Sequence, residues 1–271
     1  METRTLGRSG LAVPAVGMGT FRTFDVSGSS AESHCLNIVG RALEVGTNLF
    51  DSSPMYGEAE RVLGLAAKNV RKKILIATKV WSHSLREGRR QIKQALAWYD
   101  DYVDIYQIHN LAAWREHLPV LEELKARGKI GVIGATHYSR SAFKELMTAM
   151  QTGRIEQIQI PYNAADRLVE REVLPLAGEL DIGVLIMRPL GQGLLARRPP
   201  PAEKLEVLEQ FGISTWAQAL LKWILSDPRI HCVIPATSRV ERASENALAG
   251  SPPWFDADIR EYVCKLAAGR Y

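Results

Sequence analysis

The chain has 271 residues, of which 46% are hydrophobic and 24% are charged. This composition is close to the globular average and excludes a disordered or collagen-like chain. At about 150 residues per domain the length allows one or two domains, and it is too long for a small disulfide-stapled domain. The 34 basic and 30 acidic side chains leave a net charge of +4, which is too small to indicate nucleic-acid binding.

The three cysteines, Cys35, Cys232 and Cys264, are widely spaced. They form neither a disulfide framework nor the Cys/His spacing of a zinc site, so we expect no metal and a reducing compartment. The first residues lack the apolar run and cleavage site of a secretory signal, and no stretch reaches about 18 apolar residues. The sequence therefore predicts a cytoplasmic protein with no membrane span.

Short apolar runs alternate with longer segments of helical periodicity along the chain. Strands are predicted at 15–20, 47–52, 73–80, 102–109, 129–137, 155–162, 182–189 and 231–237. Helices are predicted near 30–46, 58–68, 85–99, 113–127, 139–151, 170–180, 214–226 and 239–249, with a further short helix after 250. Two short segments joined around Arg8, Ser9 and Gly10 predict a β-hairpin ahead of these elements.

The alternation predicts a parallel sheet, because a strand followed by a helix returns in the same direction through a crossover. The apolar runs ILIA (74–77) and VLIM (184–187) indicate strands that are buried on both faces. Eight such units predict one (β/α)8 barrel domain over 1–271, with the hairpin closing its bottom. An open doubly wound sheet is the alternative, but its G-x-G-x-x-G motif is incomplete because Arg22 stands where the third glycine belongs.

In such a barrel, functional groups stand where strands end and the following loops begin. Asp51 lies at the end of the second predicted strand and Tyr56 in the loop that follows it, while Lys79 ends the third strand and His109 the fourth. A buried lysine is costly unless a carboxylate pairs with it, and Asp51 on the neighbouring strand can do so. The pKa of a free tyrosine is near 10, so Tyr56 exchanges protons near neutral pH only if an ammonium group stabilises its anion. Asp51, Lys79 and Tyr56 together predict a proton relay.

With these residues the chain resembles the aldo-keto reductases, a family of (β/α)8 barrels that carry an Asp, Tyr, Lys and His tetrad. The resemblance extends to RTLGRSGLAVPAVGMGTF (4–21), to residues 51–64, which end in MYGEAERVLG, and to IPATSRVERASENALA (234–249). It implies NAD(P)H-dependent reduction of an aldehyde or ketone to the alcohol, and the reverse reaction. By the same resemblance Tyr56 is the general acid and Lys79 lowers its pKa. Asp51 holds Lys79, and neutral His109 orients the carbonyl oxygen.

The resemblance also implies a set of cofactor contacts. They are Gly19, Thr20, Asp51, Thr136, His137, Gln159, Met187, Arg188, Pro189, Leu190, Gly191, Gln192, Gly193, Thr237, Ser238, Arg239, Arg242, Glu245 and Asn246. Two positions depart from the family pattern: Met187 replaces an aromatic residue that stacks on the nicotinamide, and His137 replaces an asparagine. Arg239 and Arg242 share one face at a helix start, and their guanidinium groups suit a 2′-phosphate. NADPH is therefore favoured over NADH.

We expect a small-molecule carbonyl substrate in a mostly apolar pocket. The residues expected to line it are Phe21, Met55, Tyr56, Trp81, His109, Asn110 and Trp114. An alternative is a cofactor-sensing barrel without turnover, which resembles the channel β-subunits of the family; the complete tetrad argues against it. A hydrolase or isomerase barrel would carry a metal cluster or a carboxylate pair at the strand ends, and the sequence has no D-x-H or H-x-H spacing there.

Overall fold

The computed structural model of the protein describes residues 1–269. Its main sheet has eight parallel strands in which each strand pairs with the next one along the chain. These strands are β3 (Met18–Gly19), β4 (Leu49–Asp51), β5 (Leu75–Val80), β6 (Val103–His109), β7 (Ile130–Thr136), β8 (Gln157–Pro161), β9 (Gly183–Met187) and β10 (Cys232–Val233). The predicted (β/α)8 barrel is confirmed.

The first and last strands close the barrel through two bridges, Val16 to Val233 and Gly19 to Ala236. The N–H of Gly17 donates to the carbonyl of Val233 at 2.8 Å. The regular parts of β3 and β10 are shorter than the predicted strands at 15–20 and 231–237. Pro235 has no N–H with which to continue the ladder, so the regular pairing of β10 ends before it.

Helices follow the strands and cover the outside of the barrel. They are α1 (Ser29–Glu44), α2 (Ala59–Ala67), α3 (Leu85–Trp98), α4 (Trp114–Ala126), α5 (Phe143–Gln151), α6 (Val173–Glu179), α7 (Trp216–Leu225), α8 (Val240–Ala247) and α9 (Ala257–Ala267). Most bounds lie within two residues of the prediction. Two helices start later: α5 follows a 3-10 turn at Arg140–Ala142, and α6 follows one at Leu168–Glu170.

The bottom of the barrel is closed by the N-terminal hairpin, formed by β1 (Thr3–Thr5) and β2 (Ala12–Pro14). Leu6 and Val13 of this segment join the apolar core inside the barrel. Leu6 packs against Gly183 at the start of β9, where a Cβ atom would lie 2.4 Å from the Leu6 Cγ. The hairpin therefore closes the bottom as predicted, and the opposite end of the barrel is left for polar side chains.

Candidate active site

A buried ion pair joins β4 and β5 inside the upper end of the barrel. Lys79 Nζ donates to Asp51 Oδ1 at 2.7 Å, to Asp51 Oδ2 at 2.8 Å and to the Ser52 carbonyl at 2.7 Å. Lys79 is 0% exposed and Asp51 is 2% exposed. Burial lowers the pKa of Lys79, and the charge of Asp51 acts in the opposite direction. Three acceptors thus hold the ammonium group in one position.

Two glutamines hold the Asp51 carboxylate from the other side. Gln107 Nε2 donates to Asp51 Oδ2 at 3.1 Å, and Gln159 Nε2 donates to the same oxygen at 2.9 Å. Gln159 is a predicted cofactor contact, whereas sequence reasoning gave Gln107 no role. The signal that could have identified it is its place in β6, two residues before His109 and therefore on the same inner face. The structure pairs Gln107 with Lys79 of β5 in register.

Tyr56 stands in the turn after β4, close to the ion pair. Lys79 Nζ lies 5.4 Å from the centre of the Tyr56 ring, and the His109 ring lies edge-on at 5.9 Å between centroids. Burial raises the pKa of Tyr56 above its ordinary value, the charge of Asp51 raises it further, and Arg188 lowers it. Burial and the charge of Asp51 thus outweigh any lowering of the Tyr56 pKa by the nearby Lys79 ammonium, and the catalytic role of Lys79 stays a prediction. Tyr56 is therefore a protonated phenol at neutral pH.

His109 ends β6 and is buried beside Tyr56. Its Nδ1 lies 2.8 Å from Ser53 Oγ, a contact that the sequence did not indicate. Burial lowers the pKa of His109 to about 2, and the charges of Lys79 and His137 lower it as well. The imidazole is neutral across the physiological range, so it can offer one N–H and one lone pair but no positive charge.

Side chains that suit an amide ligand lie next to this group. Thr136 Oγ1 is buried and has no hydrogen-bond partner within residues 1–269. Its register neighbour in β8 is Gln159, whose amide nitrogen is taken by Asp51, which leaves Oε1 as an acceptor. A carboxamide carries both a donor and an acceptor and would satisfy both atoms. The residues present therefore fit a nicotinamide.

The remaining predicted contacts near this end lie beside the same strands. Thr20 Oγ1 donates to the Asp51 carbonyl at 3.0 Å and to Ser52 Oγ at 2.9 Å. Gly19 lies in β3, where a Cβ would lie 3.1 Å from the Ile234 carbonyl. His137 follows β7, its Nδ1 accepts from the Ser139 N–H at 2.9 Å, and burial lowers its pKa. Gly19 and Thr20 thus lie where β3 meets the last strand, whereas His137 lies above β7.

The loop after β9 has an irregular backbone. Met187 is half-buried at the end of the strand, and the next residue, Arg188, has a left-handed φ of 53°. The loop continues through Pro189 and Leu190 to Gly191, Gln192 and Gly193, with φ of 57°, 59° and 87° at the last three. The Arg188 guanidinium lies 4.8 Å from the Tyr138 ring, and Asn163 Nδ2 donates to the Arg188 carbonyl at 3.2 Å. Left-handed glycines allow backbone N–H groups to approach an anion such as a pyrophosphate.

A second group of predicted residues lies at the start of α8. Thr237 Oγ1 accepts from the Arg239 N–H at 3.1 Å, and the Ser238 carbonyl lies 2.7 Å from His34 Nε2 of α1. Arg239 is exposed and Arg242 is half-buried, with ion pairs to Glu241 at 3.7 Å and to Glu245 at 3.3 Å respectively, while Asn246 is buried. Neither guanidinium group makes an ion pair shorter than 3.3 Å with the described residues.

The mouth above Tyr56 is mostly apolar. Phe21 lies 4.9 Å from the Tyr56 ring, and the exposed fractions of Phe21, Met55 and Trp81 are 43%, 38% and 43%. Tyr138, which the sequence analysis did not select, is 47% exposed and stacks on His137 at 5.5 Å. These aromatic and thioether groups offer an open apolar surface to a ligand.

The loop after β6 is strained beside His109. Asn110, Leu111 and Ala113 have φ of 53°, 54° and 44°, and the Asn110 Oδ1 has no partner in the described chain. Strained backbone and unpaired polar atoms tend to collect at functional sites. Trp114, predicted to touch substrate, is only 5% exposed, and its indole N–H donates to Glu145 at 2.9 Å.

Comparison with known proteins identifies the family. The sequence model of the aldo/keto reductase family matches residues 15–262. The chain therefore belongs to the aldo/keto reductase family of oxidoreductases. None of the helices formed by residues 1–269 has the length and apolar character that a membrane span requires. The same residues contain no cluster of three His, Cys, Asp or Glu side chains suited to a metal ion.

Individual relatives are similar over most of their length. L-galactose dehydrogenase of Arabidopsis thaliana is 29% identical over 281 residues, covering 92% of this chain and 88% of the relative. The NADH-specific methylglyoxal reductase of Escherichia coli (strain K12) is 28% identical over 313 residues, covering 94% of this chain and 93% of the relative. The solved structure of an aldo/keto reductase from Klebsiella pneumoniae, in complex with NADP and acetate, superposes on this chain with a TM-score of 0.82. The two chains are 23% identical, and the superposition covers 98% of this chain and 96% of the other. This superposition supports the barrel fold.

Proposed function

We propose that the protein reduces an aldehyde or ketone to the alcohol with NADPH, reversibly, and that Tyr56 is the general acid. The proposal rests on one observation: side chains in three different protonation states lie close together at the upper end of the barrel. These are a charged Asp51–Lys79 pair, a protonated Tyr56 phenol and a neutral His109. Such a set can deliver one proton and one hydrogen bond to a single oxygen atom.

When bound, the reduced nicotinamide supplies the hydride that reaches the carbonyl carbon. Tyr56 Oη gives its proton to the oxygen, which becomes the alcohol hydroxyl. Its raised pKa does not prevent this step, because an alkoxide is a stronger base than a phenolate. The phenolate that remains lies near the Lys79 ammonium, which Asp51 keeps in place. His109 orients the carbonyl oxygen by a hydrogen bond and, being neutral, does not compete as the acid.

The preference for NADPH rests on Arg239 and Arg242. The two guanidinium groups lie at the start of α8, exposed at Arg239 and half-buried at Arg242, and they suit a 2′-phosphate better than a ribose hydroxyl. Two relatives differ on this point: the Klebsiella pneumoniae structure contains NADP, whereas the Escherichia coli reductase is named NADH-specific. The arginines of this chain, rather than its relatives, support the assignment.

The open apolar mouth supports a small carbonyl substrate held mainly by Phe21, Met55 and Trp81. Relatives are named for methylglyoxal, a small aldehyde, and for L-galactose, a sugar. A substrate panel should therefore contain short aldehydes, aromatic aldehydes, ketones and sugars. We propose cytoplasmic action, since Cys35, Cys232 and Cys264 are all free thiols.

The decisive experiment is Tyr56→Phe, with Tyr102→Phe as the matched control at an exposed tyrosine. NADPH oxidation is followed by absorbance across the panel, and NADPH binding by fluorescence. We expect kcat of Tyr56→Phe to fall by about 10²- to 10⁴-fold, with NADPH affinity retained, because only proton transfer is lost. Wild-type turnover by Tyr56→Phe would contradict the proposal. NADPH binding without turnover of any carbonyl by the wild-type protein would instead identify a cofactor-sensing barrel.

A further inference from the structure

The turn between β4 and α2 holds His109 as well as Lys79. Ser53 Oγ lies 2.8 Å from His109 Nδ1, and both residues are buried, at 0% and 6% exposed. Ser53 stands two residues after Asp51 and three before Tyr56, so its hydroxyl belongs to the same short segment. His109 Nε2 has no hydrogen-bond partner within residues 1–269, which leaves Ser53 as the polar contact of this ring.

The direction of this bond determines where the imidazole carries its proton. A neutral histidine has one N–H and one lone pair, so the partner of Nδ1 decides which nitrogen is protonated. Ser53 Oγ already accepts from the Met55 N–H at 3.4 Å. A hydroxyl that accepts one bond is well placed to donate its own proton in a second. If Nδ1 is the acceptor, Nε2 must carry the hydrogen.

We propose that Ser53 is a positioning residue that donates to His109 Nδ1 and so keeps the Nε2–H tautomer. This inference rests on the proposed function, in which His109 binds the carbonyl oxygen. An Nε2–H can donate to that oxygen, whereas the other tautomer would turn a lone pair towards it. The buried hydroxyl also limits rotation of the ring. Tyr56 faces the same ring from the turn after β4, and the charges of Lys79 in β5 and of His137 after β7 also act on it.

The tautomer can be observed directly by nuclear magnetic resonance of 15N-histidine-labelled protein. The His109 signals are assigned by their loss in His109→Gln. We expect wild-type His109 to show a protonated Nε2 and an unprotonated Nδ1 between pH 6 and 8. A protonated Nδ1 in the wild-type protein would overturn the proposal, whatever the enzyme turns over. This measurement does not depend on activity, so it separates failure of this inference from failure of the proposed function.

The variants Ser53→Ala and Ser53→Thr test the consequence for catalysis, with Ser29→Ala as an exposed control. We expect Ser53→Ala to lower kcat for carbonyl reduction about tenfold, the size of one lost neutral hydrogen bond, and to populate the Nδ1–H tautomer. Ser53→Thr keeps the hydroxyl and should restore both the tautomer and most of kcat. NADPH affinity should stay within about twofold in all three variants, because the hydroxyl makes its hydrogen bonds to His109 and to the Met55 N–H, neither of which is a predicted cofactor contact.

Other outcomes overturn the proposal. If folded Ser53→Ala keeps both the wild-type tautomer and the wild-type kcat, Ser53 does not position His109. If Ser53→Ala and Ser53→Thr lose activity equally while the tautomer is unchanged, the side chain acts through packing alone. Thermal unfolding of each variant shows whether it is folded, and the wild-type spectrum decides the tautomer if Ser53→Ala does not fold.

Discussion

The two ends of the proposed cofactor site are held in different ways. At the nicotinamide end, formed by Asp51, Lys79, His109 and Gln159, every side chain is buried, and the lysine makes three hydrogen bonds of 2.7–2.8 Å. At the adenosine end, formed by residues 237–246, the side chains of Arg239 and Arg242 are 66% and 43% exposed. Their ion pairs are 3.7 and 3.3 Å long.

This difference follows from the exposure of the two ends to solvent. Buried charges are tolerated only when they are paired, so the nicotinamide end must be assembled as the protein folds. Exposed arginines are already solvated by water and lose little when a weak ion pair opens. Substitutions at the buried end should therefore change both stability and activity, whereas substitutions at the exposed end should change binding alone.

The largest effect is expected from Lys79→Met, which leaves the Asp51 carboxylate buried without its cation. The free energy of unfolding should fall by about 3–5 kcal/mol, and carbonyl reduction should be lost. Urea unfolding measures the first change and NADPH oxidation the second. Lys93→Met, at an exposed lysine of α3, should change stability by less than about 0.5 kcal/mol. Equal stability of the two variants would remove the distinction between the ends.

The next effect concerns pH and Glu60 of α2, which is 3% exposed and accepts a hydrogen bond from Thr78. Burial raises the pKa of Glu60 from 4.5 to about 7. Between these values the folded protein keeps a proton that the unfolded chain releases, so stability should fall as the pH rises. The total change is about 3 kcal/mol.

The variant Glu60→Gln should remove this fall, since an amide does not titrate. Urea unfolding between pH 4.5 and 7.5 measures the slope for each protein. Glu179→Gln, at an exposed glutamate of α6, is the control and should keep the wild-type slope. A Glu60→Gln slope equal to that of the wild type would show that Glu60 is ionised in the folded protein at acidic pH.

A smaller effect is expected on cofactor choice from Arg242→Ala. The dissociation constant of NADPH should rise about tenfold, equivalent to about 1.4 kcal/mol, while that of NADH stays unchanged. Fluorescence titration with both cofactors measures the ratio. Arg86→Ala, at an exposed arginine of α3, should leave both constants unchanged. Parallel weakening of NADPH and NADH would place Arg242 away from the 2′-phosphate.

The smallest effect is expected on stability from the double variant Arg239→Ala/Arg242→Ala. Exposed ion pairs of 3.7 and 3.3 Å contribute little, so the free energy of unfolding should change by less than about 1 kcal/mol. Urea unfolding in the same buffer as Lys79→Met gives the direct comparison. A loss as large as that of Lys79→Met would mean that the exposed end also supports the fold.

Sequence reasoning succeeded where a local pattern has one structural solution. Alternating apolar runs and helical segments led to the barrel, and the segments around Arg8, Ser9 and Gly10 led to the hairpin. The family assignment from the tetrad and the longer motifs is also confirmed. The roles of Asp51, Tyr56, Lys79 and His109 stay predictions, although the structure brings these side chains into one volume.

The features that the sequence did not indicate all depend on contacts between segments that are distant in the chain. Gln107 binds Asp51 because the register of β5 and β6 sets it beside Lys79, and one sequence does not reveal register. Ser53 looks like an ordinary turn residue until the turn is folded against β6. The raised pKa of Tyr56 was missed for a related reason. The expectation for Lys79 included neither the burial of the phenol nor the direct effect of the Asp51 charge on Tyr56, and both raise the pKa of Tyr56.

The seam of the barrel imposes an order on biosynthesis. Residues 16 and 19 bridge residues 233 and 236, and the Arg4 guanidinium donates to the carbonyls of Leu225 and Ile230. The first strand of the barrel, β3, can therefore complete its pairing only after β10 has been synthesised. Until that strand emerges, the nascent sheet has two unpaired edges, which are the surfaces most prone to aggregation. Aggregation through strand edges is therefore expected before β10 is synthesised rather than after the barrel has closed.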